Sequence, residues 1–194
     1  MINHQLKCIF IHIPRTAGSS LSTAVNKGQR REKGIIEGPI HFGKNWVIKE
    51  YGESLWDGYF KFSFVRNPWD RLLSQYSWRV AKGQDDVQDR DFNEWVIWRS
   101  KQTKKREMLT KQVDTILCGS KIIVDFIGRY ENLHEDYNKL CESLNVADPM
   151  QLPHKHNKKD GRKHYTEVYN SETKDIVSEY YSRDIEMFNY KFSI

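Results

Sequence analysis

Two short stretches of this chain concentrate groups that bind anions. The first is residues 9–21, IFIHIPRTAGSSL, where Arg15, Thr16, Ser19 and Ser20 surround a single glycine, Gly18. The second is residues 62–76, FSFVRNPWDRLLSQY, where Arg66 and Asn67 precede a proline and Ser74 follows two helical turns later. Each reads as a strand running into a turn and then a helix. Ile9, Phe10, Ile11 and Ile13 form an apolar run that fits a buried strand. Pro14 closes it, because proline cannot donate to a ladder. Gly18 permits a tight turn and close approach to a ligand. Ser19 and Ser20 open a helix that continues through Leu21 and Val25. The N–H groups at that helix start, with Arg15, Thr16, Ser19 and Ser20 around them, suit a phosphate-like anion. The alternative is an ordinary capped strand–helix turn.

In the second stretch Phe60, Phe62, Phe64 and Val65 read as the strand, and Pro68 suits the first helical position. Leu72, Leu73 and Tyr76 supply helical spacing. The planar fork of Arg66 with the Ser74 hydroxyl suits a dianion. An equally open reading pairs Arg66 with Asp70 as a salt bridge at the helix start. Two such junctions in one small α/β domain imply a ligand with two separate phosphate-like groups. The first loop is not a G-x-x-x-x-G-K-[ST] loop, since Arg15 precedes its only glycine and no lysine follows.

Together the stretches resemble the paired donor-binding motifs of sulfotransferases, above all the carbohydrate branch (sulfotransferase family 2-like) that includes the heparan and chondroitin enzymes. HIPRTAGSS (12–20) is similar to that branch's HIPKTAGTS, and FVRNPWDRLLSQY (64–76) to its FVRNPxDRxxSxY. The resemblance continues in DFIGRYENL (125–133), HNKKDGRKHY (156–165) and SRDIEMFNYKF (182–192). It implies the donor 3′-phosphoadenosine 5′-phosphosulfate (PAPS), the product adenosine 3′,5′-bisphosphate, a hydroxyl acceptor of carbohydrate type and no metal. By resemblance, the loop Arg15, Thr16, Ala17, Gly18, Ser19 and Ser20 holds the 5′-phosphosulfate. Arg66 and Ser74 hold the 3′-phosphate, Tyr130 lies near the adenine, and Arg162 and Lys163 close over the nucleotide. The chain departs from the branch at Arg15, where lysine is usual; both are cationic, but arginine is a wider, planar fork.

Sulfuryl transfer is an in-line displacement that rests on positioning and charge stabilisation. Arg15 is assigned to the bridging oxygen, with Thr16 and Ser19 as secondary donors. The acceptor hydroxyl needs a base, and histidine titrates near neutral pH. His41, in GPIHFGKNW (38–46), is the leading candidate, because family members often carry a functional histidine in this stretch. A structural histidine is the alternative. His12 sits inside the strand, where a core role fits better, and Glu37 and Glu50 are fallback bases.

A length of 194 residues suits one domain. Within it, 78–115 reads as a helical insertion on the acceptor side. Trp78, Trp95 and Trp98 stand there beside Arg79, Arg99 and Gln112, and Trp78, Arg79 and Gln112 are the expected sugar contacts. Plain hydrophobic packing of the tryptophans is the competing reading. The formal charge of +5 fits an anionic donor and acceptor as well as nucleic acid, which is not expected here. The basic run 99–106, RSKQTKKR, reads either as a solvated face or as a contact for an acidic glycan. No apolar run is long enough for a membrane span, and the N-terminus lacks a signal-peptide pattern. The expectation is a cytoplasmic enzyme or an excised catalytic domain, unlike the membrane-anchored Golgi members of the family. Cys8, Cys118 and Cys141 form no disulfide framework, and Cys8 and Cys118 read as small core residues. His154, His156 and His164 lack a matching cysteine or carboxylate set, so no metal site is expected.

These groups need a frame. The pattern predicts strand 7–13, helix 19–28, helix 44–53, strand 60–65 and helix 68–82. An exposed loop (82–91) then leads to a helix opened by an Asp91–Glu94 capping box. Strand 121–127, helix 131–144, an irregular stretch 150–167 and a last helix capped by Ser171 follow. Alternating strands and helices predict a P-loop NTPase-like three-layer α/β fold, its parallel central sheet flanked by helices. Ligands in such sheets sit at the C-terminal strand ends, where both motifs fall. Two other functions compete. A P-loop kinase or NTPase draws support from KIIVDF (121–126), with Asp125 ending a strand like a magnesium-binding aspartate. A non-catalytic polyanion binder draws support from the charge and the aromatics.

Overall fold

The computed structural model describes residues 1–26, 35–36, 43–102, 109–152 and 163–193. Glu37, His41, His154, His156 and Arg162 lie outside the described residues, as does the second half of the basic run 99–106. In chain order the first elements are β1 (Ile2–Asn3), β2 (Cys8–Phe10), α1 (Gly18–Val25), β3 (Ile35–Ile36), α2 (Lys44–Tyr51) and α3 (Glu53–Gly58). Then come β4 (Phe60–Val65), α4 (Pro68–Ala81), α5 (Phe92–Ser100), α6 (Gln112–Ile116), β5 (Leu117–Cys118) and β6 (Lys121–Ile122). The last are β7 (Phe126–Arg129), α7 (Leu133–Ser143), α8 (Ser171–Tyr180) and α9 (Ser182–Phe188). The chain divides into two compact units: Met1–Val65 with Asp114–Asn157, and Arg66–Val113 with Lys158–Ile194.

The first unit is built on a sheet of order β3-β1-β2-β4-β7. Its centre is parallel: β2 pairs with β4, and β4 with β7. β1 runs antiparallel to both β2 and β3, forming an edge that the hydrophobic pattern did not signal because each strand is only two residues long. Alternation along β2 and β4 sends Cys8, Phe10, Phe62 and Phe64 to one face. Leu21, Ala24 and Val25 of α1 cover them, as do Tyr137, Leu140 and Cys141 of α7 and Leu144 just past its end. Both sets recur at helical spacing, which is why these segments fold as amphipathic helices. The rings of Phe10 and Phe62 stack at 4.9 Å. Lys61 points to the opposite face, where its Nζ lies 5.8 Å from the Trp56 ring of α3. The result is a mostly parallel sheet flanked by helices.

The expected strand 121–127 is two elements. Lys121 and Ile122 pair with β5 in a separate antiparallel hairpin, whose turn uses a left-handed Gly119 (φ 63°). The central strand starts only at Phe126. Asp125 explains the break. Its carboxylate accepts the Lys61 N–H at 2.7 Å and pairs with Lys61 Nζ at 3.0 Å, while its own N–H donates to the Lys61 carbonyl at 2.7 Å. Asp125 therefore stands at the start of a parallel strand, not at its end. Cys8 is buried, and that burial pushes its thiol up to about 12, as befits an inert core residue. Cys118, expected in the core, is exposed on the hairpin.

In the second unit α4, α5 and α8 pack around Trp69, Leu72, Phe92, Trp95, Val96 and Val177. Asn67 caps α4 by accepting the Trp69 N–H, with Pro68 at the first position. The capping box is present: the Asp91 and Glu94 side chains each accept the other's N–H at 2.9 Å. The stretch 82–91 is more anchored than an exposed loop. Asp86 turns inward and accepts from Arg79 Nε at 2.9 Å and Trp95 Nε1 at 3.2 Å, with Arg99 at 3.6 Å. Burial raises the Asp86 carboxyl, but these bonds and the two arginine charges outweigh it and leave the group below its ordinary value. The cap of α8 is Asn170 rather than Ser171, since the Asn170 side chain accepts the Thr173 N–H at 2.9 Å. Among the described residues no helix is long and apolar enough to cross a membrane.

Candidate functional site

β2 and β4 are parallel neighbours, so the chain leaves both at the same, C-terminal edge of the sheet. The ladder continues one residue past β2, with Ile11 N–H donating to the Phe62 carbonyl at 2.9 Å. The turn that follows is strained. Arg15 (φ 70°) and Ala17 (φ 65°) both hold left-handed backbone, although neither is glycine. Each such residue costs about 1–3 kcal/mol and persists only where the surroundings dictate it. Two contacts do so. Thr16, between them, is fully buried and its Oγ1 donates to the Ile13 carbonyl at 2.7 Å. Gly18 lies directly against the His12 ring, so close that a Cβ there would sit 2.0 Å from Nε2.

This geometry shapes the start of α1. Ala17 at the N-cap brings no side-chain acceptor, and no acidic residue occupies the first turn. The positive end of the helix dipole is thus opposed by no carboxylate of that turn. Ser19 is exposed, Ser20 is buried, and Arg15 is half-buried. Thr16 was expected as a ligand donor, but its proton goes to Ile13 and it serves the turn.

The second junction differs. Arg66 follows directly on β4 and is buried, with 4% exposure. Its Nε and Nη2 reach one oxygen of Asp70, at 2.8 and 2.6 Å. The salt bridge at the helix start is therefore real. Asn67 also donates to Tyr165 Oη at 3.2 Å and to the Lys191 carbonyl at 3.0 Å. The N-terminus of α4 is thus capped by the protein itself, so any anion here meets side chains rather than a bare helix end. Ser74 is buried on α4 in the same unit.

Gln112, expected to face an acceptor, is fully buried. Its Oε1 accepts the Arg66 N–H and its Nε2 donates to the Arg66 carbonyl, both at 2.8 Å. Its own N–H donates to Asp184 Oδ2 at 2.9 Å, and the Val113 N–H to Oδ1 at 3.0 Å. Burial pushes the Asp184 carboxyl up; the Val113 and Gln112 N–H bonds and the Arg71 charge pull against it without cancelling the shift. Sequence reasoning missed Asp184. Its signal was an acid placed on the apolar stripe of Tyr181 and Phe188, where a solvated carboxylate has no place.

The remaining expected residues are spread over the two units. Tyr130 is half-buried and opens a short 3-10 turn straight after β7, again at a C-terminal strand end. Lys163 is exposed beside His164, the cap of the Tyr165–Glu167 turn. Trp78 is exposed, at 39%. Arg79 is committed to Asp86, and Trp95 is core.

Comparison with known proteins fits this frame. The model of the sulfotransferase family matches residues 1–191, and the chain belongs to that family. It is similar to an uncharacterized protein of Archaeoglobus fulgidus, 34% identical over 108 residues, which covers 55% of this chain and 86% of that one. It is also similar to carbohydrate sulfotransferase 11 of Mus musculus, 26% identical over 167 residues, 68% of this chain. The chain spans 47% of that mouse protein's length. No solved structure matches it.

Proposed function

We propose that the chain transfers a sulfuryl group from PAPS to a hydroxyl acceptor of carbohydrate type, by in-line displacement and without a metal. The observation that carries the reading is the loop 15–20. It holds strained backbone at a C-terminal strand end and leads into a helix whose first turn has no acid and whose cap has no acceptor. Such a loop suits an anion, and it lies within a chain of the sulfotransferase family, which together support the reading. A three-layer P-loop-like arrangement is the fold this reading implies, with both units serving one sulfotransferase domain.

The roles follow from chemistry. PAPS supplies a sulfuryl group on a phosphate that leaves as an anion. The first-turn N–H groups, Ser19, Ser20 and Arg15 hold the 5′-phosphosulfate, and Arg15 stabilises the charge that grows on the bridging oxygen. Arg66 and Ser74 take the 3′-phosphate, Tyr130 borders the adenine, and Arg162 and Lys163 close over the nucleotide. His41 takes the acceptor proton. Trp78 and Arg79 are the acceptor contacts in this reading; Gln112 acts through Arg66 instead.

The kinase alternative loses its support, since Asp125 stands at the entering end of β7 and is paired with Lys61. The deciding experiment is calorimetric titration with adenosine 3′,5′-bisphosphate against ATP, with no metal added. Tight binding that discriminates against ATP is expected. Absence of binding, or preference for magnesium-ATP, refutes the donor assignment.

A further inference from the structure

We infer that Gln112 and Asp184 are positioning residues that fix Arg66 for recognition of the donor's 3′-phosphate. The inference rests on the donor reading above. Arg66 is the first residue beyond β4. Val65 is the last residue of β4 to find a strand partner, opposite Arg129. The Arg66 peptide groups are buried, and buried peptide groups must be paired. One carboxamide does this: Gln112 accepts from the N–H and donates to the carbonyl of the same residue, both at 2.8 Å. The pair of bonds imitates the exchange between two residues of an antiparallel ladder. It carries strand-like order one residue past the sheet, where a loop would otherwise begin.

Gln112 is in turn fixed from behind. Asp184 on α9 accepts the N–H of both Gln112 and Val113, one on each carboxylate oxygen. Gln112 and Asp184 are both fully buried, so neither contacts solvent or a ligand directly. At the other end of Arg66, Asp70 holds the guanidinium. Backbone and head group are therefore both set before any anion arrives. Such support determines how well a recognition residue is aimed.

The test separates aiming from mere folding. Affinities for adenosine 3′,5′-bisphosphate and for adenosine 5′-monophosphate, which lacks the 3′-phosphate, are measured by calorimetry, with thermal melting as the control. Gln112→Glu keeps an acceptor for the Arg66 N–H but sets an oxygen against its carbonyl. Asp184→Asn keeps the shape but replaces one acceptor with a donor. In both variants the ratio of the two affinities should fall on the order of tenfold, the scale of one charge-assisted hydrogen bond, with monophosphate binding unchanged. Asp184→Asn leaves the carboxamide intact and carries the same expectation if Gln112→Glu does not fold. Equal loss of both ligands, or an unchanged ratio, overturns the inference. A wild-type protein with no preference for the bisphosphate instead removes the Arg66 assignment, and the inference falls with it.

Discussion

Gly18→Ala tests the loop 15–20, proposed above to hold the donor, at its tightest point. The added Cβ would lie 2.0 Å from His12 Nε2, 2.1 Å from Cδ2 and 2.8 Å from Cε1. Ordinary contact begins near 3.4 Å. The ring must therefore retreat by more than 1 Å, roughly, or the helix start must move. Phe10 limits retreat, with its ring centroid 5.6 Å from that of His12. Overpacking of this kind costs about 1–3 kcal/mol. Alanine in place of glycine returns up to about 1 kcal/mol through helix propensity. The net is about 0–3 kcal/mol, a drop of up to about 12 °C in Tm for a chain of this length. His12 and Gly18 bracket Arg15 and Ala17, so the displacement falls on the two strained residues. Affinity for adenosine 3′,5′-bisphosphate should fall on the order of tenfold or more, which is about 1.4 kcal/mol. Removing the ring should relieve the clash, so His12→Ala with Gly18→Ala should cost less than the sum of the single changes. Gly18→Ala melting with the wild type and binding as tightly would refute the cradle. A lowered Tm with unchanged binding would leave the packing argument and sink the anion assignment.

Three further outcomes are expected. Arg66→Ala should weaken adenosine 3′,5′-bisphosphate on the order of tenfold or more in calorimetry; unchanged affinity removes Arg66 from the 3′-phosphate. His41→Ala should abolish most transfer in a donor-consumption assay and spare donor binding; an unaltered rate eliminates His41 as the base. Asp86 carries a pH dependence. Its carboxyl lies below the ordinary 3.8 in the folded chain, so its stabilisation is complete above that value and is lost as pH falls through the folded one. Asp86→Asn should therefore melt lower than wild type at neutral pH, with the gap closing below about pH 4; a gap that persists in acid refutes the assigned pairing.

What could be read from the sequence was local. β4 runs over 60–65 as its pattern predicts, α4 opens at Pro68, and Asp91 with Glu94 makes a capping box, because each signal lies within a few residues of its effect. The losses came where partners are distant. Lys61 and Asp125 are 64 residues apart, and their pairing moves a strand boundary that the apolar run 121–127 hides. Gln112 and Asp184 are 72 apart, and Gln112 beside tryptophans reads as a sugar contact until its carboxamide is found on Arg66. Arg66 itself shows why two sequence readings need not exclude each other. Salt bridge and anion site were alternatives on spacing alone, and the salt bridge is present. A guanidinium has five N–H donors, and Asp70 takes two of them through a single oxygen. Asp70 therefore orients the fork. An arriving dianion would share a cation that is already aimed, and Asp70→Asn should loosen that aim while leaving the charge of Arg66 in place.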